Sequence, residues 1–122
     1  MARHVLLIED EPNIAEAIRF LLGREGLTVS SLADGTHAAE AVRTERPDLV
    51  ILDLMLPGCS GLEVVEAIRA DAGTRATPVL MLTAKGAGRD REAAERAGVD
   101  RFMTKPFSNA EMLAQVRELV GR

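Results

Sequence analysis

The sequence contains no tryptophan and no tyrosine, and only three phenylalanines and one cysteine. Proteins that bind single-stranded nucleic acid stack the bases on aromatic side chains, and this chain has few residues of that kind. The single cysteine, Cys59, excludes an intrachain disulfide, and no group of Cys and His residues has the spacing of a zinc site. These absences are typical of a protein of the reducing cytosol, so we expect a cytoplasmic location.

The chain also lacks an excess of basic residues. It has 15 Lys and Arg against 19 Asp and Glu, a net charge of −4. Because domains that contact phosphate backbones usually carry a basic patch, we expect no direct nucleic-acid binding by this segment. Residues 1–4 lead at once into an apolar run that is too short for a membrane span and unlike a signal peptide, so we expect no membrane association. The motif GxxxxGK[ST] is absent, which excludes a P-loop nucleotide enzyme.

What the sequence does contain is a regular alternation of strand and helix patterns. Its 122 residues, 47% of them hydrophobic, match the size and composition of one globular domain, and we assign residues 1–122 to it. Short apolar or alternating runs predict five strands, with a helical pattern after each. The predicted strands are residues 5–8, 27–32, 49–52, 79–82 and, more weakly, 101–104.

The alternation predicts an α/β fold, a doubly wound parallel sheet with helices on both faces. The first, third and fourth strands are apolar throughout and suit the centre of the sheet, whereas the second and fifth are more polar and suit its edges. The predicted strand order is therefore 2-1-3-4-5. In the last helix, Ser108 and Glu111 have the spacing of a capping box.

Polar residues stand where the predicted strands end, and the carboxyl ends of parallel strands meet at one edge of the sheet. Glu9 and Asp10 follow the first strand, Asp53 the third, Thr83 the fourth and Lys105 the fifth. Two carboxylates about 5 Å apart repel by roughly 3 kcal/mol at an effective dielectric near 20, and a cation would remove that repulsion. Oxygen ligands without Cys or His favour a hard ion, and Mg²⁺ suits a site with few carboxylates and a phosphate.

Each of these residues also has a purely structural interpretation. The acidic residues after the first strand could simply favour a helix N-terminus. Asp53 could be a turn residue, Lys105 a surface lysine and Thr83 an ordinary strand residue. The functional interpretation is favoured because they occur together and because an unpaired carboxylate after a buried strand is costly.

Four motifs follow one another with defined spacing and together cover nearly the whole chain. They are VLLIEDEP at 5–12, PDLVILDLMLPGCSG at 47–61, PVLMLTAKG at 78–86 and FMTKPF at 102–107. By this ordered set the chain resembles the receiver domains of two-component response regulators, most of all those of the winged-helix (OmpR/PhoB-type) transcriptional regulators. The resemblance implies a flavodoxin-like fold and a phosphoacceptor switch rather than an enzyme that turns over a substrate.

The resemblance also implies a partner and a cofactor. Asp53 would accept a phosphoryl group from the phosphohistidine of a sensor histidine kinase or a phosphotransfer protein. Mg²⁺ would be bound by Asp10, by Asp53 and by the backbone carbonyl of Met55, with Glu9 acting directly or through water.

Further residues would hold the phosphoryl group and transmit its presence. The resemblance assigns the phosphoryl oxygens to Thr83, to Lys105 and to the backbone N–H of Ala84. When Thr83 moves toward the phosphoryl group, an aromatic residue on the fifth strand turns inward, and Phe102 occupies that position. Plain core packing is the alternative role of Phe102.

The output face implied by the resemblance consists of the helix before the fifth strand, that strand and the last helix. This face forms a homodimer interface on phosphorylation in relatives, and Arg91, Asp100 and Glu111 match residues of it. Relatives usually have an acidic residue where this chain has Arg101, and an arginine where it has Gln115. This charge pair is therefore missing, and we expect a weaker dimer.

Two other functions compete with the phosphoacceptor switch. A pseudo-receiver would keep the fold as a protein-interaction module without phosphorylation. The chain argues against it, because it has the complete set of Glu9, Asp10, Asp53, Thr83 and Lys105. An aspartyl phosphatase would need a second carboxylate two residues after Asp53, where this chain has Met55.

By analogy Met55 and Lys85 flank the path of the water that hydrolyses the phosphoryl group, and methionine cannot orient that water.

Overall fold

The computed structural model describes residues 3–84 and 88–121; Lys85 lies outside the described residues. Five strands alternate with five helices along this part of the chain. The strands are β1 (His4–Ile8), β2 (Thr28–Leu32), β3 (Leu49–Asp53), β4 (Val79–Ala84) and β5 (Arg101–Lys105). The helices are α1 (Pro12–Gly23), α2 (Ala38–Glu45), α3 (Gly61–Ala70), α4 (Gly88–Ala97) and α5 (Asn109–Leu119).

All neighbouring strands are parallel, and their order in the sheet is β2-β1-β3-β4-β5. Every residue of β3 is buried, while the edge strands β2 and β5 are only partly buried. Both the α/β class and the strand order predicted from the sequence are confirmed. The uninterrupted apolar runs lie in the central strands because side chains there are buried on both faces of the sheet.

The sheet separates two hydrophobic cores. On one face, Leu6, Ile8, Val50 and Leu52 pack with residues of α2, α3 and α4, including Val42, Val65 and Ala94. On the other face, Val5, Leu7, Leu49 and Ile51 pack with residues of α1 and α5, including Leu22 and Met112. Side chains alternate between the faces because the strand period is two, so each central strand contributes to both cores.

Local signals determine where the last helix begins. The side chain of Ser108 accepts from the N–H of Glu111, and the Glu111 carboxylate accepts from the N–H of Ser108, which is the predicted capping box. Met112 and Val116 of this helix are buried. Helix α4 is different, because Ala94 is its one buried residue.

Within the part of the chain that the structure describes, no helix has the length and apolar character needed to cross a membrane.

Candidate functional site

The site lies at the carboxyl edge of the sheet, at the switch point between β1 and β3. Ile8 at the end of β1 is level with Leu52, and Asp53 follows as the last residue of β3. At the other side of the sheet, Ala84 at the end of β4 is level with Lys105 at the end of β5. Since all these strands run in the same direction, side chains far apart in sequence meet at this edge.

Three carboxylates form a cluster at this edge. One ligand oxygen each from Glu9, Asp10 and Asp53 lies within 4.8 Å of the others. Glu9 and Asp53 are buried, with exposed fractions of 2% and 8%, whereas Asp10 is exposed. The cluster therefore has the oxygen ligands and the open side that a hydrated hard cation requires.

Lys105 balances this negative charge from the opposite side of the crevice. Its Nζ lies 2.6 Å from Oδ2 of Asp53 and 2.8 Å from Oε1 of Glu9. Burial lowers the pKa of Lys105, but its interactions with the Asp53 and Glu9 carboxylates outweigh burial and raise the pKa above the usual 10.5. The lysine is therefore a charged ammonium that holds two carboxylates at neutral pH.

The two carboxylate oxygens of Glu9 have different partners. Its Oε2 accepts from the N–H of Glu11 at 3.1 Å. Its Oε1 is buried, and apart from the ionic contact with Lys105 no donor meets hydrogen-bond geometry toward it within residues 3–84 and 88–121. Burial raises the pKa of Glu9 above 4.5, and the interactions with Lys105 and the N–H of Glu11 offset this only in part. A buried acceptor in this state fits a divalent cation, which would stabilise the ionised form.

The acidic run after β1 divides into two roles. Glu11 is the N-cap of α1, and its side chain accepts from the N–H of Asn13 at 3.1 Å. Of the two interpretations of the acidic residues, the helix-start role therefore applies to Glu11. Glu9 instead lies buried against Lys105 and Asp53, so adjacent acidic residues serve different purposes.

Asp53 is held from both sides. Its Oδ1 accepts from the N–H of Met55 at 3.1 Å, while its Oδ2 is paired with Lys105. The Met55 side chain is 71% exposed beside it. Gly61 begins α3 directly against this segment, since a Cβ atom added there would lie 2.4 Å from the carbonyl oxygen of Asp53. No sequence pattern indicated Gly61 as a residue of the site.

Thr83 and Ala84 occupy the end of β4. Thr83 is completely buried, and its hydroxyl donates to the carbonyl oxygen of Met103 on β5 at the long distance of 3.5 Å. Ala84 is exposed at the rim of the crevice. A hydroxyl in so long a hydrogen bond can be redirected toward a new acceptor at small cost.

Phe102 lies on β5, partly buried against the core that α2, α3 and α4 cover. The guanidinium carbon of Arg91, on α4, lies 4.9 Å from the centroid of the Phe102 ring. Two residues that the resemblance assigns to the switch and to the output face are therefore in direct contact in this structure.

The acidic residues assigned to the output face have partners within the chain. Oδ2 of Asp100 accepts from Arg69 at 2.9 Å and from the N–H of Val79 at 2.7 Å. One carboxylate oxygen of Glu111 is used in the capping box of α5. No sequence pattern indicated Arg69, whose guanidinium also donates to the carbonyl oxygens of Arg75, Thr77 and Gly98.

Arg101, which departs from the family pattern, also has partners within the chain. Its Nη1 donates to Gln115 at 3.1 Å and to Glu118 at 2.6 Å, so β5 is joined to α5. The pair is exposed, and such pairs contribute only about 0–1 kcal/mol to stability. The main effect of the pair is therefore that these two surface charges are no longer available to a partner.

Comparisons with known proteins agree with this fold. The family model for the response regulator receiver domain matches residues 5–117. The chain is 41% identical to the DNA-binding response regulator MtrA of Mycolicibacterium smegmatis, with 100% of this chain and 52% of that protein covered. It is 39% identical to the phosphate regulon transcriptional regulatory protein PhoB of Klebsiella pneumoniae, with 100% and 53% covered.

A solved structure agrees as well. The receiver domain of sensor histidine kinase PA1611 from Pseudomonas aeruginosa, which has a magnesium ion coordinated in its active site cleft, matches with a TM-score of 0.91 and 31% identity, and both chains are covered completely. The chain spans about half the length of the curated relatives it matches, which are transcriptional regulators of the OmpR/PhoB type. On the match over residues 5–117, with the strand order of the fold, this chain belongs to the response regulator receiver domain family.

Proposed function

We propose that this chain is a phosphoacceptor switch of a two-component phosphorelay and that Asp53 is the acceptor. The observation that carries the proposal is a buried carboxylate, that of Asp53, paired with Lys105 beside the two acidic residues Glu9 and Asp10. An oxygen of Asp53 forms a bond to phosphorus while the P–N bond of a phosphohistidine breaks and its electron pair returns to the imidazole. The product is an acyl phosphate on the chain.

The cofactor we propose is Mg²⁺. Asp10 and Asp53 would bind it, together with the backbone carbonyl of Met55 and with Glu9 directly or through water. When bound, it neutralises negative charge on the phosphoryl oxygens and so permits an anion to approach a carboxylate cluster. The carboxylates of Glu9, Asp10 and Asp53, each with an oxygen within 4.8 Å of the others, support this proposal.

The response to phosphorylation begins at Thr83 and Lys105. A phosphoryl group adds about −1.5 to −2 charges, which favour charge-assisted hydrogen bonds from Lys105, from the Thr83 hydroxyl and from the N–H of Ala84. Thr83 then leaves the carbonyl oxygen of Met103, and Phe102 moves into the space it vacates. The change passes to the face formed by α4, β5 and α5.

The partners we propose are a cytoplasmic sensor histidine kinase or phosphotransfer protein and, after phosphorylation, a second copy of this chain. Residues 1–122 act as one receiver domain that regulates transcription through an output partner or through dimerisation, with no direct nucleic-acid or membrane contact. In the dimer Arg91 of one copy pairs with Glu111 of the other, and the surface of Asp100 lies at the same interface. Since Arg101 is already bonded to Gln115 and Glu118, we expect a weaker dimer than an acidic residue there would allow.

The deciding experiment is incubation with acetyl phosphate and Mg²⁺, followed by intact-protein mass spectrometry. The wild type should gain about 80 Da, the mass of one phosphoryl group. Asp53→Asn should gain nothing, whereas Asp90→Asn, an exposed aspartate on α4, should behave as the wild type does. A wild type that never gains this mass would refute the proposal and leave the pseudo-receiver as the function.

Light scattering of the same samples tests the dimer. Phosphorylated protein should show weak, concentration-dependent dimerisation that Arg91→Glu prevents. A tight dimer at low concentration would contradict the proposed effect of Arg101.

A further inference from the structure

The contact between Arg91 and Phe102 joins the least buried helix of the described chain to an edge strand of the sheet. The guanidinium carbon lies 4.9 Å from the ring centroid, within the distance at which a cation is attracted to an aromatic face. Arg91 is exposed and Phe102 is partly buried, so the guanidinium covers the ring on its solvent side.

Among the residues that the structure describes, Arg91 has no competing interaction of similar strength. Over residues 3–84 and 88–121 it forms no hydrogen bond and no ion pair, and Glu95, one helical turn further on, is not paired with it. The five N–H donors of a guanidinium lie in its plane, so stacking on a ring leaves them free to bind a carboxylate. Within the described part of the chain, the stack on Phe102 is therefore the contact that determines where this side chain lies.

The rest of α4 is held mainly at its C-terminal end. Ala94 is buried, and Nε of Arg69 donates to the carbonyl oxygen of Gly98, directly after the helix, at 3.0 Å. The N–H of Gly98 donates to the carbonyl oxygen of Ala94 at 3.1 Å. Arg91 lies in the first half of the helix, where burial is low, and its contact with Phe102 ties that half to β5.

We propose that Arg91 is a positioning residue that holds the Phe102 ring in its partly buried position and so favours the unphosphorylated conformation. This inference rests on the proposed function, in which the ring moves inward after phosphorylation. An inward ring no longer presents its solvent face to Arg91, so the cation–π contact exists in the resting conformation and is lost in the active one. An interaction made in one conformation only shifts the equilibrium toward it by its own free energy.

The contact also gives Arg91 two successive partners. In the resting chain it covers the Phe102 ring, and after the ring moves, the guanidinium is released for a carboxylate of the second copy. Removing Arg91 should therefore ease phosphorylation and at the same time weaken the phosphorylated dimer. A residue that only contributed surface charge would not produce these opposite effects.

The first test uses the unphosphorylated full chain and NMR spectra of ring-labelled phenylalanine. Only three phenylalanines are present, and no Tyr or Trp interferes, so the Phe102 ring is readily assigned. Arg91→Gln should shift the Phe102 resonances and leave those of Phe107 unchanged. The matched control is Arg96→Gln, which removes the same charge from an exposed position on the same helix and should leave Phe102 unchanged.

The second test is the rate of phosphorylation by acetyl phosphate. Arg91→Gln should raise it about two- to fivefold, the factor that corresponds to a cation–π contact at an exposed site. Arg96→Gln should leave the rate unchanged, and Arg91→Lys, which keeps a cation, should lie near the wild type. In a Phe102→Leu background Arg91→Gln should have no effect, because the ring is absent.

The inference is overturned if Arg91→Gln and Arg96→Gln act alike, or if the Arg91 effect persists without the ring. If the wild type takes up no phosphoryl group at all, the proposed function fails, while the ring spectra still decide whether Arg91 positions Phe102.

Discussion

The Nζ atom of Lys105 lies 2.6 Å from Oδ2 of Asp53 and joins the end of β5 to the end of β3 across β4. The same ammonium lies 2.8 Å from Oε1 of Glu9. One cation therefore neutralises part of a cluster of three carboxylates.

Replacing Lys105 by Met should destabilise the chain in Mg²⁺-free buffer. Two buried carboxylates then lose their cation, and a loss of about 1–3 kcal/mol in the free energy of unfolding is expected. Added Mg²⁺ should raise the melting temperature of the variant more than that of the wild type, because the metal replaces the missing charge. Equal shifts with Mg²⁺ in both proteins would contradict the cluster as a metal site.

Replacing Glu9 by Gln should have an effect that depends on pH. The folded pKa of Glu9 is raised, mainly by burial, so the ionised carboxylate lowers stability at neutral pH. That penalty disappears as pH falls through the folded pKa, which lies above 4.5, because the folded state then binds the proton more readily than the unfolded state does. In Mg²⁺-free buffer Glu9→Gln should therefore be more stable than the wild type at pH 7 and equal to it at low pH.

Urea unfolding between pH 4 and pH 7 measures this difference. Glu16→Gln, at an exposed position of α1, should show no such trend. With Mg²⁺ at pH 7 the wild type should instead be more stable than Glu9→Gln. A difference that is constant with pH would show that burial of Glu9 is not its cause.

Replacing Met55 by Asn should shorten the lifetime of the phosphorylated form. The Met55 side chain is 71% exposed beside Asp53, and an amide in its place can orient an attacking water where methionine cannot. Stability should change by no more than about 0.5 kcal/mol, as for other exposed positions. The loss of mass after removal of acetyl phosphate gives the rate, and an unchanged or slower rate would refute the role of Met55.

Replacing Gly61 by Ala should damage the site through the backbone. The added Cβ would lie 2.4 Å from the carbonyl oxygen of Asp53, so β3 and the start of α3 must move apart. We expect a loss of about 1–3 kcal/mol in stability and slower phosphorylation. Gly23→Ala is the control, since its Cβ would meet nothing within 4 Å, and it should be neutral or slightly stabilising. Equal effects of the two substitutions would contradict the close approach at Gly61.

Much of the fold could be predicted because its signals are local. The apolar run of β3 and the capping box of Ser108 and Glu111 each depend on residues close together in sequence. The meeting of Asp53 and Lys105 at one edge followed from the strand order, since parallel strands end on the same side. The ends of the strands differ from the prediction by up to two residues, because pairing with neighbouring strands decides where a strand ends.

Other features depend on contacts that no local pattern reports. Nothing near Arg69 indicates that its guanidinium will bind Gly98 and Asp100, some 30 residues away. The stack of Arg91 on Phe102 depends on how closely α4 packs against β5. These contacts form only after helices and sheet have packed together.

The sequence by itself determined the α/β alternation, the order of the strands and the set of polar residues at their carboxyl ends, because hydrophobic periodicity and chain direction are properties of short segments. Only the tertiary structure decided that Glu9 is buried against Lys105 while Glu11 caps α1, and that Arg91 contacts Phe102. Burial and charge pairing are properties of the assembled molecule. They depend on which atoms exclude water from each other, and residues of the same type can therefore have different roles.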